Sequence, residues 1–158
     1  MSKIIIFWEK GHRINMVLSK EIIKERLKHL HEILANLREI RTIPEAEFIS
    51  TYRNYWLAER GLQLAAETVF DIGNHILSGY FQVAAPDYEG VLDLLLEKRV
   101  ITQDLREKLK GLGGFRNILV HGYISIDRRK VFQELIGGLD DFDSFIEEIL
   151  LWMKNHLQ

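Results

Sequence analysis

The 158-residue chain contains no cysteine. That excludes a disulfide framework, a thiolate metal site and a cysteine nucleophile. It also fits a reducing cytoplasm, which is the expected location. Proline is scarce: only Pro44 and Pro86 occur, so long helices are permitted. No apolar run is of membrane-spanning length, and the N-terminal "IIIFW" is too short for a signal segment or a span. Excess charge is missing as well. A net charge of −2 exerts no global pull on nucleic acid, so any basic surface has to be local.

What is present is an ordinary globular composition, 47% hydrophobic and 28% charged, on a chain long enough for one domain with one core. The first fifteen residues, "MSKIIIFWEKGHRIN", have no helical periodicity, and the regular pattern begins just after Met16. Residues 1–15 are therefore expected to be an extension, residues 16–158 the domain, and Met16 the native start.

The rest of the pattern is helical. Ile22, Ile23, Leu27, Leu30, Ile33, Leu34 and Leu37 recur at three- and four-residue steps, with Ser19 as N-cap, predicting a helix to Arg41. Pro44 suits the first turn of a long second helix, expected to run to about Leu77 and to close on a left-handed Gly79. Asp87 opens a third helix, ending near Lys98, and Thr102 a fourth. Asp127 opens a fifth, with Val131, Leu135, Leu139, Phe142, Phe145, Ile146, Ile149 and Leu150 as its core stripe, and Gly137-Gly138 as a place to kink or split. "YISI" is the one late stretch that reads as strand. Repeats, linkers and low-complexity tracts are missing, so the fold class is all-α, an antiparallel bundle of about five helices.

Two polar features stand out on this apolar frame. On the second helix Arg60, Gln63, Glu67, Asp71, Asn74 and His75 fall within an arc of about 120°. They form either a solvent stripe or the border of a cleft or subunit interface, with Glu67, Asp71 and His75 as the candidate residues there.

The second feature is "GLGGFRNILVHGY", residues 111–123. On a helical wheel Leu112, Phe115, Ile118, Leu119 and Gly122 make a core face. Arg116 lies about a quarter turn away, and Asn117 and His121 stack on one side, so all three are expected to point outward, away from the core. Val120 falls in the middle of the arc that should be wet, which suits an interface better than open solvent. Gly122 should end the helix.

The residue types define a chemistry. His121 can move protons near neutral pH, Arg116 matches phosphate oxygens, and Asn117 can orient the imidazole. Together they could cleave RNA without a metal, the 2′-hydroxyl attacking the adjacent phosphate. One histidine is thin for both acid and base, so two copies facing each other across a dimer are the natural arrangement. Arg106, Lys108, Lys110, Arg116, Arg128, Arg129 and Lys130 make the neighbourhood locally basic. The competing reading is plainer: an R-x4-H spacing arises by chance, and a histidine at a helix end often serves only the helix dipole. No metal site is expected, because the six histidines include no H-E-x-x-H pattern and His29 and His31 do not share a face.

"RNILVHGY" resembles the R-x4-H-x-Y signature of the HepT-type toxins of the HEPN superfamily, including a polar residue directly after the arginine. The order "AERGLQLAAETVFDIGNHIL", "LLLEKRVI", motif, "SIDRRKVFQEL" is also similar, so the likeness runs from about Met16 to the C-terminus. Residues 1–15 have no counterpart, and Gly122 stands where a larger residue often sits. The resemblance implies a homodimer with Arg116 and His121 in a composite cleft, cleaving tRNA or mRNA without metal or other cofactor. It further implies a partner antitoxin, a minimal nucleotidyltransferase of the MntA type, which transfers AMP to Tyr123 and so blocks RNA by charge and bulk. The alternatives are a non-catalytic HEPN subunit that binds nucleotide or scaffolds a nucleotidyltransferase, and a bundle of purely structural use.

Overall fold

The computed structural model describes residues 18–122 and 126–158. The expected extension over 1–15, Met16, the expected AMP acceptor Tyr123 and most of "YISI" lie outside these. Among the described residues there are eight helices and no strand. They are α1 Lys20–Arg41, α2 Glu45–Ser50, α3 Tyr52–Gly79, α4 Tyr88–Glu97, α5 Gln103–Lys108, α6 Leu112–His121, α7 Arg128–Gly137 and α8 Leu139–His156.

Four helices begin where a side chain satisfies their first free amides, as the sequence predicts. Ser19 accepts from the Ile22 amide, Asp87 from Gly90, Thr102 from Leu105 and Asp127 from Arg129. The eight helices correspond to five expected ones, three of which are each divided in two. The long second helix breaks at Thr51, which is extended at φ −108° and ψ 97°. There Arg128 reaches across the fold: its Nη1 donates to the freed Ile49 carbonyl at 3.0 Å and its guanidinium sits over the Tyr55 ring. The fourth divides at Gly111, and the fifth at Gly138, the position flagged by its glycine pair. Gly79 is not a left-handed cap. It is the last residue of α3, and the positive φ after this helix belongs to Gln82 at 56°.

α1 and α3 pair antiparallel at the centre: Ser19 meets His75 at one end and Leu37 packs on Gly61 toward the other. α8 runs antiparallel to α1, with Lys20 donating to the Leu157 carbonyl and Arg38 paired with Asp143. Leu30, Leu34, Phe48, Phe70, Ile72, Leu92 and Phe145 are fully buried in the single core these helices enclose. Each such side chain contributes about 1.5–3 kcal/mol of burial energy. In the expected C-terminal stripe, Leu150 is 47% exposed, whereas Trp152 and Met153 are buried. No helix among the described residues is long and apolar enough to cross a membrane.

Candidate active site

The glycines before the motif shape its helix. Gly111 has φ +84°, a backbone that side chains rarely adopt, and it turns the chain sharply from α5 into α6. Gly113 permits contact: a Cβ there would come within 2.6 Å of the Tyr88 Cβ on α4. α6 has no side-chain cap of its own. Instead Glu89 of α4 accepts from the Gly111 and Gly113 amides at 3.2 and 3.4 Å, a carboxylate placed where the helix dipole favours it. The same carboxylate group takes Arg106, which also holds Asp93.

α6 is rotated from the expected orientation by about a quarter turn. Its inner side is Gly113 and Leu119, flanked by half-buried Leu112, Arg116 and Val120. Ile118, expected in the core, is 49% exposed. Arg116, expected to point outward, faces α3 with only 20% of its side chain exposed. The reason is a set of partners that the wheel omits. Arg116 Nη2 donates to Glu67 Oε1 at 3.1 Å, and Nη1 donates to Asn117 Oδ1 at 3.3 Å. The guanidinium lies 5.2 Å from the centre of the Tyr88 ring, itself packed at a tilt against Phe70. Glu67 is held in turn by Gln63 Nε2 at 3.0 Å. Arg116 Nε is buried and has no hydrogen-bond partner among the described residues.

Asn117 and His121 are exposed on the outer side of α6, as expected, and Gly122 closes the helix with its amide on the Ile118 carbonyl at 2.8 Å. Arg116 and His121 are five residues apart, so they diverge by about 140° around one helix. A cavity of about 100 Å³ opens beside α6, lined by Leu62, Lys110, Leu112, Phe115 and Phe142, but neither Arg116 nor His121 lines it.

The rest of the polar arc divides. Glu67 belongs to the motif's surroundings. Asp71, one turn on, is exposed as a residue, yet its carboxyl is raised above the usual range, chiefly because packed neighbours desolvate it. Arg26 opposes that shift, Glu67 adds to it, and Arg116 opposes it. His75 is not at a cleft. It is 6% exposed, and its Nε2 accepts the Ser19 amide at 3.1 Å, so it anchors the start of α1. Burial, with Arg26 nearby, lowers its pKa from the ordinary 6.5 and keeps it neutral.

The local basic surface is smaller than its sequence suggests. Arg106, Lys108 and Arg116 are ion-paired within the chain, and Arg128 is on Ile49 and Tyr55. Lys110, Arg129 and Lys130 have no ion pair among the described residues. Among these residues no group of three histidines or carboxylates is placed to hold a metal ion. Tyr88 and Glu89 were not singled out by the sequence. An acidic residue in a first helical turn is too common to be a signal, and what they hold lies 17 or more residues away.

An arginine held between helices and, five residues on, an exposed histidine are the two side chains of the R-x4-H pattern by which the sequence resembles HEPN-type proteins. The match to known proteins is specific: residues 18–149 fit the family described as Ribonuclease HepT-like, and the chain belongs to that family. The tRNA nuclease HepT of Aphanizomenon flos-aquae is 28% identical over 129 residues, covering 81% of this chain and 87% of that protein. The mRNA nuclease HepT of Shewanella oneidensis is 36% identical over 89 residues, covering 56% of this chain and 66% of its own length. Among solved structures, the tri-AMPylated Shewanella oneidensis HEPN toxin in complex with its MNT antitoxin superposes with a TM-score of 0.76 at 25% identity, over 84% of this chain and 99% of that one. The resemblance drawn from "RNILVHGY" therefore extends to sequence and fold.

Proposed function

We propose that this chain is the toxin of a toxin–antitoxin pair, an endoribonuclease that acts as a homodimer on tRNA or mRNA in the cytoplasm. Its helical domain spans 16–158. The observation that carries the reading is the motif helix itself, set within a family match that spans most of the chain. Arg116 binds the scissile phosphate, Asn117 supports Arg116 and the imidazole, and His121 moves protons.

The reaction needs no group beyond the RNA and these side chains. The 2′-oxygen loses its proton to an imidazole and forms a bond to phosphorus. The bond from phosphorus to the 5′-oxygen breaks, and that oxygen takes a proton from an imidazolium, leaving a 2′,3′-cyclic phosphate. The guanidinium stabilises charge gathering on the non-bridging oxygens. One exposed His121 per chain supplies one proton carrier, and Arg116 and His121 diverge around their helix rather than converging on one point. A second subunit brings another His121 and closes the site. A minimal nucleotidyltransferase of the MntA type is the antitoxin, and AMP on Tyr123 adds charge and bulk two residues beyond His121.

The test is cleavage of end-labelled RNA by protein expressed without its partner. Cleavage that resists chelators and stops when the scissile nucleotide is 2′-deoxy supports the mechanism. His121→Ala and Arg116→Ala should each be folded and inactive; full activity in both would remove the assignment. Absence of cleavage by unmodified wild type, with tight binding of the nucleotidyltransferase, would favour the scaffold reading. Incubation with that partner and ATP should add AMP at Tyr123, and modification elsewhere would defeat the proposed off-switch.

A further inference from the structure

We propose that Glu67 is a positioning residue for Arg116, completing a clamp that sets where the guanidinium presents itself to phosphate. The inference rests on the ribonuclease reading and deepens it, because nothing in the motif points to α3. Three sides of the guanidinium are fixed. Glu67 Oε1 takes Nη2 at 3.1 Å, the Tyr88 ring lies 5.2 Å beneath, and Asn117 Oδ1 takes Nη1 at 3.3 Å. Glu67 is not a loosely held surface acid. Gln63, one turn earlier on α3, donates to the same oxygen at 3.0 Å, and 30% of the Glu67 side chain is exposed.

The chemistry explains the need. An arginine has four rotatable bonds, and a guanidinium free to wander gives phosphate affinity without a fixed angle of approach. Charge stabilisation in a transition state depends on donors already in place, because reorganising them during the reaction forfeits the gain. Arg116 Nε is buried, with no partner among the described residues, so the fork does not turn that edge to phosphate in this rotamer. The Nη atoms each carry two hydrogens, of which Glu67 and Asn117 occupy one apiece. The clamp thus leaves one N–H on each Nη for the substrate and determines which they are.

Steady-state kinetics on protein purified without the nucleotidyltransferase separates this from its rivals. In Glu67→Ala, kcat is expected to fall about 10- to 100-fold with KM within about threefold, since the cation remains but its geometry does not. Glu67→Gln keeps an acceptor and should recover part of that loss. The melting temperature should move by no more than about 4 °C, because the pair is partly exposed. If Glu67→Ala instead lowers KM and raises kcat, the carboxylate is a competitor of phosphate, and the positioning role is wrong. Wild-type kinetics in Glu67→Ala also overturn it. Arg116→Ala in parallel tests the underlying reading: if it cleaves normally, the ribonuclease assignment of Arg116 fails, whereas an inactive Arg116→Ala beside a normal Glu67→Ala refutes only the clamp.

Discussion

Single residues decide how the motif helix is presented. Glu89 does the work of a helix cap from a neighbouring element, accepting two amides of the α5–α6 turn while it shares Arg106 with Asp93. Arg106 has only 12% of its side chain exposed, so loss of Glu89 leaves a largely buried cation with one partner. Glu89→Ala should therefore cost about 1–2 kcal/mol in denaturant unfolding, and a value near zero would show that water replaces the cap. It should also reduce RNA cleavage, because the start of α6 sets the height at which Arg116 meets Glu67. None of this can be read from "DYEG". The motif residues are legible as a local pattern, but Arg116 is turned by an acid 49 positions earlier, and a wheel built on α6 alone puts it on the wrong side. The outward placement of Asn117 and His121 was legible because, among the described residues, no side chain of another helix bonds to either; Asn117 is bonded only within α6, by Arg116.

At the scale of elements, what could be read was what is locally encoded. Ser19, Asp87, Thr102 and Asp127 each cap within three residues, so those helix starts follow from sequence. The break at Thr51 does not, because Arg128 from α7 takes up the carbonyl that the break releases. The α1–α3 pair carries a pH-dependent anchor in His75. Its folded pKa lies below the unfolded 6.5, so the unfolded chain binds the extra proton first. Stability from this group is complete above about pH 6.5 and is lost as pH falls through that value and on toward the folded pKa. Glu59, Asp71 and Asp141 have raised values and act in the opposite sense, but in the lower carboxylate range. Unfolding free energies between about pH 5.5 and 7.5 should thus decline with acid in the wild type and decline less in His75→Asn. Equal slopes would mean that another group carries the dependence. In the core, Phe145→Ala removes a side chain with no exposure where α8 meets the bundle, and it should cost about 3–5 kcal/mol by the same unfolding assay.

For the whole molecule, the question is how a chain of net charge −2 engages a polyanion. Intrachain contacts engage Arg106, Lys108 and Arg128 of the basic set and leave Lys110, Arg129 and Lys130, with Arg116 as the proposed contact at the reacting phosphate. Four phosphate contacts per subunit correspond to a slope of about −3 in log affinity against log salt on single-stranded RNA. Titrations from low to high salt should give that slope, or about −6 if one strand spans both subunits. A slope near zero would put the RNA on another surface. Dimerisation is the larger demand, because one subunit offers one exposed His121, which diverges from Arg116 by about 140° around α6. The active species should then be the pair. Specific activity should be constant at high protein concentration and fall in proportion to concentration below the dissociation constant of the dimer, at the point where sedimentation shows monomer appearing. Cleavage whose specific activity stays unchanged while the protein sediments as monomer would mean that a single Arg116 and His121 suffice, and the composite site would have to be abandoned.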